Sequence, residues 1–343
     1  MEASPRIVVI LGAGASHAID SRMPLTDELG GLALGSLPPE EQPMYRDRIG
    51  YFEALMSRLA EDQPDLSEAE NLRNRSRFRQ LADAVATAIA GRQAEVLAEP
   101  MPAWLVDLCW VWHENRATIV TFNYDSLVER AAASTGLHDW DAKTNVAADD
   151  VIDRLPPFAP GPSRWGPGPM PATMRLLKLH GSVAWFAAPD DPSGATLARQ
   201  TITGWYPDQD VGADEIRREF PGRQPFIIPP TSAKSRFYSN PVVRQLWRDA
   251  GAALEKADEV HLVGYSMPAT DLVTRGMLRP GWRRRDLDDR QPQRRTVVDR
   301  PRRFRGDALR VVQRPGGVLE STARRAGRTR PSELARHRWF DRR

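Results

Sequence analysis

Cysteine is nearly missing from this sequence: Cys109 stands alone among 343 residues. A single thiol excludes an intrachain disulfide and any zinc cluster built on cysteines. Its setting, Leu108-Cys109-Trp110-Val111-Trp112, reads as a core residue. No stretch approaches the roughly 18–20 apolar residues of a membrane-spanning helix. The segment ahead of the first apolar run is short and acidic, unlike a secretory leader, so a cytoplasmic protein is expected. Lysine is absent from Arg279 onward, where 21 arginines face 8 acidic residues. That segment carries a net charge of +13, which leaves −10 on residues 1–278. Such a split suits nucleic-acid contact by a basic tail, but no zinc finger or aromatic-interleaved basic motif accompanies it. Repeated Arg-Arg, Arg-Pro and Pro-Gly without lysine also resemble a GC-rich gene read in a shifted frame. Residues 279–343 therefore read as an appendage, a degenerate terminus or the remnant of a last strand and helix.

What is present begins with Ile7-Val8-Val9-Ile10-Leu11, five apolar and mostly β-branched residues of the kind buried inside a parallel sheet. They run into Gly12-Ala13-Gly14-Ala15-Ser16. Two glycines there permit a tight turn and a close backbone approach, and amide nitrogens exposed ahead of a helix can cradle an anion. The third glycine of the dinucleotide fingerprint is missing, however. On its own this is a βα unit whose glycines serve either a phosphate or simply the turn.

Three further apolar runs end in polar turns. Thr118–Phe122 delivers Asn123-Tyr124-Asp125, with a helix expected over about 126–134. Arg175–Leu179 leads to His180-Gly181-Ser182 and on to Val183–Phe186. Glu259–Val263, read as another buried strand, ends in Gly264-Tyr265-Ser266. In open α/β sheets the ligand crevice lies beyond the carboxyl ends of the strands, so these turns fall where chemistry is expected. Between them, residues 44–62 and 68–97 show apolar spacings of three and four, as amphipathic helices do, and Trp104–Trp112 continues as an apolar helix. The block at about 40–115 is too long for an ordinary crossover and reads as a helical insertion. Arg73, Arg75, Arg77 and Arg79 within it form a solvated face. Residues 156–173, dense in proline and glycine, cannot be regular helix or central strand. Residues 187–224 read as loops with a short hairpin, Pro225–Pro230 as a short strand, and Asn240–Lys256 as a helix. The fold expected is a Rossmann-like α/β sheet with helices on both faces.

Taken in order, Leu11-Gly-Ala-Gly-Ala-Ser16, Thr121-Phe-Asn-Tyr-Asp-Ser-Leu-Val-Glu129, Lys178-Leu-His-Gly-Ser-Val-Ala-Trp185 and Val263-Gly-Tyr-Ser-Met-Pro-Ala-Thr-Asp271 resemble the landmarks of the SIR2-like (sirtuin-like) domain. The resemblance covers about residues 6–278 and is nearest to bacterial NAD-consuming proteins of antiphage defence. It implies that Gly12, Ala13, Gly14, Ala15 and Ser16 wrap the pyrophosphate of NAD. It implies that Asn123 holds the nicotinamide ribose and the attacking water, that His180 is the base at the ribose, and that Gly264, Tyr265 and Ser266 meet the adenosine side.

The residue chemistry agrees with those roles. A carboxamide donates and accepts at once, and an imidazole titrates near neutrality. Asp125 binds a hydroxyl or caps the following helix, His17 lies near phosphate or ribose or at the surface, and Glu129 is structural, salt-bridging near Arg130. The deacylases of the family carry a four-cysteine zinc module that one cysteine cannot build. The reaction implied is therefore hydrolysis of NAD to nicotinamide and ADP-ribose, without a metal. ADP-ribosyl transfer and NAD or ADP-ribose sensing are the alternatives. A defence effector of this kind implies self-association or an activating partner.

Overall fold

The computed structural model describes residues 5–43, 45, 51–135, 173–188, 191, 196–200, 218, 221–235, 237–267 and 271–278. Four parallel strands form its centre: β1 (Ile7–Leu11), β2 (Thr118–Thr121), β3 (Arg175–Lys178) and β7 (Glu259–Val263), in the order β3-β2-β1-β7. β1 is flanked on both sides, Val9 pairing with Ile119 on one edge and His261 on the other. Every residue of β1 is buried, which is why its sequence shows no polar alternation.

Side chains alternate across a strand, so β1 feeds two cores. Ile7, Val9 and Leu11 join Ile119 and Leu176 under α1 (Ala13–Ile19), α5 (Ala103–Glu114) and α6 (Leu127–Ala133). Val8 and Ile10 join Val120 and Leu177 on the opposite face, covered by Val242, Leu246, Ala250 and Leu254 of α7 (Pro241–Lys256). Asn240 caps α7, its Oδ1 accepting from the amides of Val242 and Val243, with Pro241 at the first helical position.

The helical block divides in two. α5 lies on the sheet through Leu105, Cys109 and Trp112. α2 (Thr26–Gly35), α3 (Phe52–Ala60) and α4 (Glu68–Leu97) instead pack on one another around Leu34, Met56, Leu81 and Val85. α4 starts at a capping box between Ser67 and Glu70. Arg75 and Arg77 on it make ion pairs with Asp62, Glu68 and Glu41, in keeping with a solvated face.

A second, antiparallel sheet has the order β5-β4-β6, from β4 (Gly181–Ala187), β5 (Ala198–Arg199) and β6 (Gln224–Ile227). β4 follows β3 almost at once. β4 opens at Gly181, where φ is +76° and a Cβ would lie 2.2 Å from the Phe226 carbonyl oxygen of the paired strand β6. One expectation is corrected: β7 is not a buried strand. Leu262 is 41% exposed, because β7 is the outer strand of the described sheet. Nearly all of the proline-rich stretch 156–173 and all of 279–343 lie outside the described residues. No helix among the described residues is long and apolar enough to cross a membrane.

Candidate functional site

The four polar turns sit at the carboxyl ends of the four parallel strands. From β1 the sheet runs to β2 and β3 on one side, while β7 is added on the other, so the strand order reverses between β1 and β7. Ligand crevices of open α/β sheets form at such a reversal.

At the reversal the glycines bring two backbones together. The Gly12 amide donates to the Val263 carbonyl at 3.1 Å and the Gly14 amide to the Gly264 carbonyl at 3.0 Å. A Cβ on Gly12 would lie 2.6 Å from the Gly264 oxygen. One on Gly264, whose φ is +61°, would lie 2.0 Å from the Ala15 nitrogen. Two of the amides expected to face an anion thus donate to the end of β7, and the glycines serve this close approach. Ala13 opens α1, and Ala15 and Ser16 are buried within it.

Ser16 connects the first turn to the second. Asn123 Nδ2 donates to the Gly12 carbonyl at 2.9 Å and to Ser16 Oγ at 2.8 Å, and Ser16 Oγ donates to Asp125 Oδ2 at 2.6 Å. A carbonyl oxygen only accepts, so the nitrogen of the carboxamide must face Gly12. Ser16 then receives the second N–H, and its own proton goes to Asp125. The orientation of Asn123 is fixed by this chain. Its Oδ1 makes no hydrogen bond among the described residues and is left as an acceptor. Of the two roles expected for Asp125, the one at the helix start is seen: its Oδ1 accepts from the Leu127 amide at the start of α6, at 3.2 Å, while its Oδ2 is occupied by the Ser16 hydroxyl.

Below Asp125 lies an ion pair. Lys178 Nζ reaches Glu129 Oε1 at 2.6 Å and also donates to the Asp125 carbonyl; the two side chains are 1% and 4% exposed. Glu129 therefore pairs with β3 rather than near Arg130. Its Oε2 is buried without a partner among the described residues. Burial raises the Glu129 carboxyl, and Lys178 opposes that shift. Ser16, Asn123, Asp125, Glu129 and Lys178 line a small hollow.

His180 sits on the other side of Phe122, with ring centroids 5.0 Å apart. Phe122 also packs on Tyr265 at 4.9 Å, and His180 lies 6.3 Å from Trp247. The strand ends bearing Asn123 and His180 are adjacent in the sheet, but Asn123 lines the hollow under α1 and α6 while His180 packs on Phe122, which belongs to the core on the opposite face. His180 is 6% exposed. Burial, reinforced by Lys234, holds its imidazole well below the usual value. Lys234 Nζ is 3.5 Å from His180 Nε2. Tyr265 donates its hydroxyl to Asp271 at 2.9 Å, while Gly264 and Ser266 are exposed. His17 is half-buried, its Nδ1 on the Met23 carbonyl at 2.8 Å.

Two residues escape the sequence reading. Lys178 ends an apolar strand, where a lysine looks like a solvated edge. Lys234 lies in Pro229-Pro230-Thr231-Ser232-Ala233-Lys234, which carries no periodicity to announce burial. Among the described residues no cluster of histidine, cysteine or carboxylate side chains could hold a metal ion. A scan of protein-family models finds no match to the chain, and a search of curated proteins finds no relative.

Proposed function

We propose that the chain is a SIR2-like NAD glycohydrolase acting through Asn123 and His180. The observation that carries this reading is the oriented carboxamide. Both N–H bonds of Asn123 are committed to Gly12 and Ser16, so Oδ1 is the atom free to receive a hydrogen from water or a ribose hydroxyl. Water oxygen attacks the anomeric carbon of the nicotinamide ribose. The glycosidic bond breaks with its electron pair leaving on nicotinamide, and the proton of the water passes to a base. Nicotinamide leaves a cationic ring as a neutral molecule, so the protein's task is to orient and to move one proton. His180 is the candidate for the second part, although burial beside Lys234 leaves it a weaker base than a free imidazole.

Transfer of ADP-ribose to a macromolecule would use the same two residues with another nucleophile. Binding of NAD or ADP-ribose without turnover is a second reading, favoured by Lys234 standing against His180 Nε2. In a cell, unrestrained NAD loss would be harmful, so self-association or a defence partner is proposed to switch the activity on.

Incubation of the purified chain with NAD, followed by chromatography, tests the reading. Nicotinamide and free ADP-ribose should appear, and both should vanish in Asn123→Ala and His180→Ala. Nicotinamide without free ADP-ribose would indicate transfer. NAD binding with no release from folded protein would favour the sensor.

A further inference from the structure

The chain has only four lysines, at 143, 178, 234 and 256, although arginine is abundant. Lys178 and Lys234 are both buried. A chain that otherwise uses arginine keeps lysine at two interior positions, where a compact point charge on a flexible stem fits and a planar guanidinium does not. Their surroundings differ. Lys178 has Glu129 at 2.6 Å. Lys234, 7% exposed, makes no ion pair among the described residues, and its one side-chain hydrogen bond there is to His180 Nε2 at 3.5 Å.

The carboxylates that act on Lys234 at longer range are Asp271 and Glu53. Asp271 is already engaged, by the Tyr265 hydroxyl at 2.9 Å, the Thr274 hydroxyl at 2.7 Å and the Thr274 amide at 3.2 Å. One turn beyond Lys234, the hydroxyl of Tyr238 is also buried without a partner among the described residues, and its ring packs on Trp247 at 5.2 Å. The turn that presents Lys234 is fixed. The amide of Ser232 donates to Ser57 of α3 at 2.8 Å, and the carbonyl of Lys234 accepts from the Phe237 amide at 3.0 Å.

A buried ammonium with no carboxylate in direct contact among the described residues, and only Asp271 and Glu53 acting from farther off, is costly, and a turn tied down to maintain one needs a reason. The geometry points to an oxyanion subsite at Lys234, where the ammonium receives a phosphate or carboxylate oxygen of the ligand beside His180. The subsite rests on the glycohydrolase reading for the identity of that ligand, which becomes an anionic molecule whose charged group is held at the catalytic histidine. Burial lowers the Lys234 ammonium, and an arriving anion would restore its charge. Drawing the ammonium onto the ligand would also release His180 Nε2, coupling the base to occupancy.

Calorimetric titration of the full chain with inorganic phosphate and, separately, acetate tests this without turnover. The wild-type chain should bind at least one of the two saturably, and the preferred anion tells phosphate from carboxylate. Lys234→Met and Lys234→Gln should weaken binding by about tenfold or more, the scale of one charge-assisted hydrogen bond. In anion-free buffer both variants should melt no lower than wild type, because a buried charge without an ion pair has been removed. Equal anion affinity in wild type and variants, or no saturable binding by wild type, overturns the subsite. So does a lowered melting temperature in both variants, which makes Lys234 a structural cation. A chain that binds phosphate through Lys234 yet releases no nicotinamide leaves the subsite standing and removes the glycohydrolase reading alone.

Discussion

Asn123 shows how much one side chain can be told by its acceptors. Gly12 offers only a lone pair, so Asn123→Asp, nearly the same size, would set a carboxylate oxygen against a carbonyl oxygen and leave Ser16 without its donor. We expect a loss of roughly 1–3 kcal/mol in urea unfolding, with nicotinamide release falling further than stability. An unchanged urea midpoint would mean that the carboxamide is not held as described. The histidines set a second expectation. Burial, with Arg116 adding to it, lowers His113 to about 4, and His180 is held well below its usual value. Both are neutral in the folded chain, whereas in the unfolded chain each takes up a proton below about pH 6.5. The unfolded state then binds more protons, so stability is full above that pH and lost as the pH falls below it. The slope is roughly 1.4 kcal/mol per pH unit for each histidine. Urea midpoints at pH 7.5, 6 and 5 should show the decline, and His113→Gln should remove about half of it down to near pH 4.

Among the elements, the ends of β1 and β7 are the least forgiving. Gly264→Ala would place a methyl group 2.0 Å from the Ala15 nitrogen at a φ of +61°. The expected result is a chain that loses cooperative unfolding or the β1–β7 pairing, read by amide exchange across Ile7–Leu11. The Lys178–Glu129 pair between β3 and α6 makes a finer test. Lys178→Met strands a buried carboxylate and should cost about 3–5 kcal/mol, while Lys178→Met with Glu129→Leu should recover most of it. If the double variant is no better than the single one, the Asp125 carbonyl and not Glu129 is the partner that matters.

These elements also show what a sequence discloses. β1, β2, β3 and α7 were legible because burial on both faces writes itself as apolar runs, and a spacing of three and four as a helix. The polar turns were legible because glycine, asparagine and histidine interrupt such runs. The exposure of β7 was not, since Leu262 looks the same at an edge as at a centre. Nor were the partners of Glu129 and Asn123, which depend on contacts between residues 49 and more than 100 positions apart.

For the molecule as a whole, charge separates along the chain. Residues 1–278 carry −10 and residues 279–343 carry +13. At low ionic strength the full chain should be retained on immobilised heparin and released by salt, whereas a chain ending at 278 should flow through. Retention of the shorter chain would place the polyanion contact elsewhere. The sheet imposes a different condition on the whole chain. Arg6 is tied to Asp258, 252 positions away, and β1 gains its second neighbour only from β7. On a ribosome adding roughly 5–20 residues per second, β1 waits first for β2 and then, over about tens of seconds in all, for β7 before both its edges are covered. The glycine junction beside the site therefore cannot close until Gly264 has been made, and a message broken before the codon for Gly264 leaves Gly12 and Gly14 without their partners.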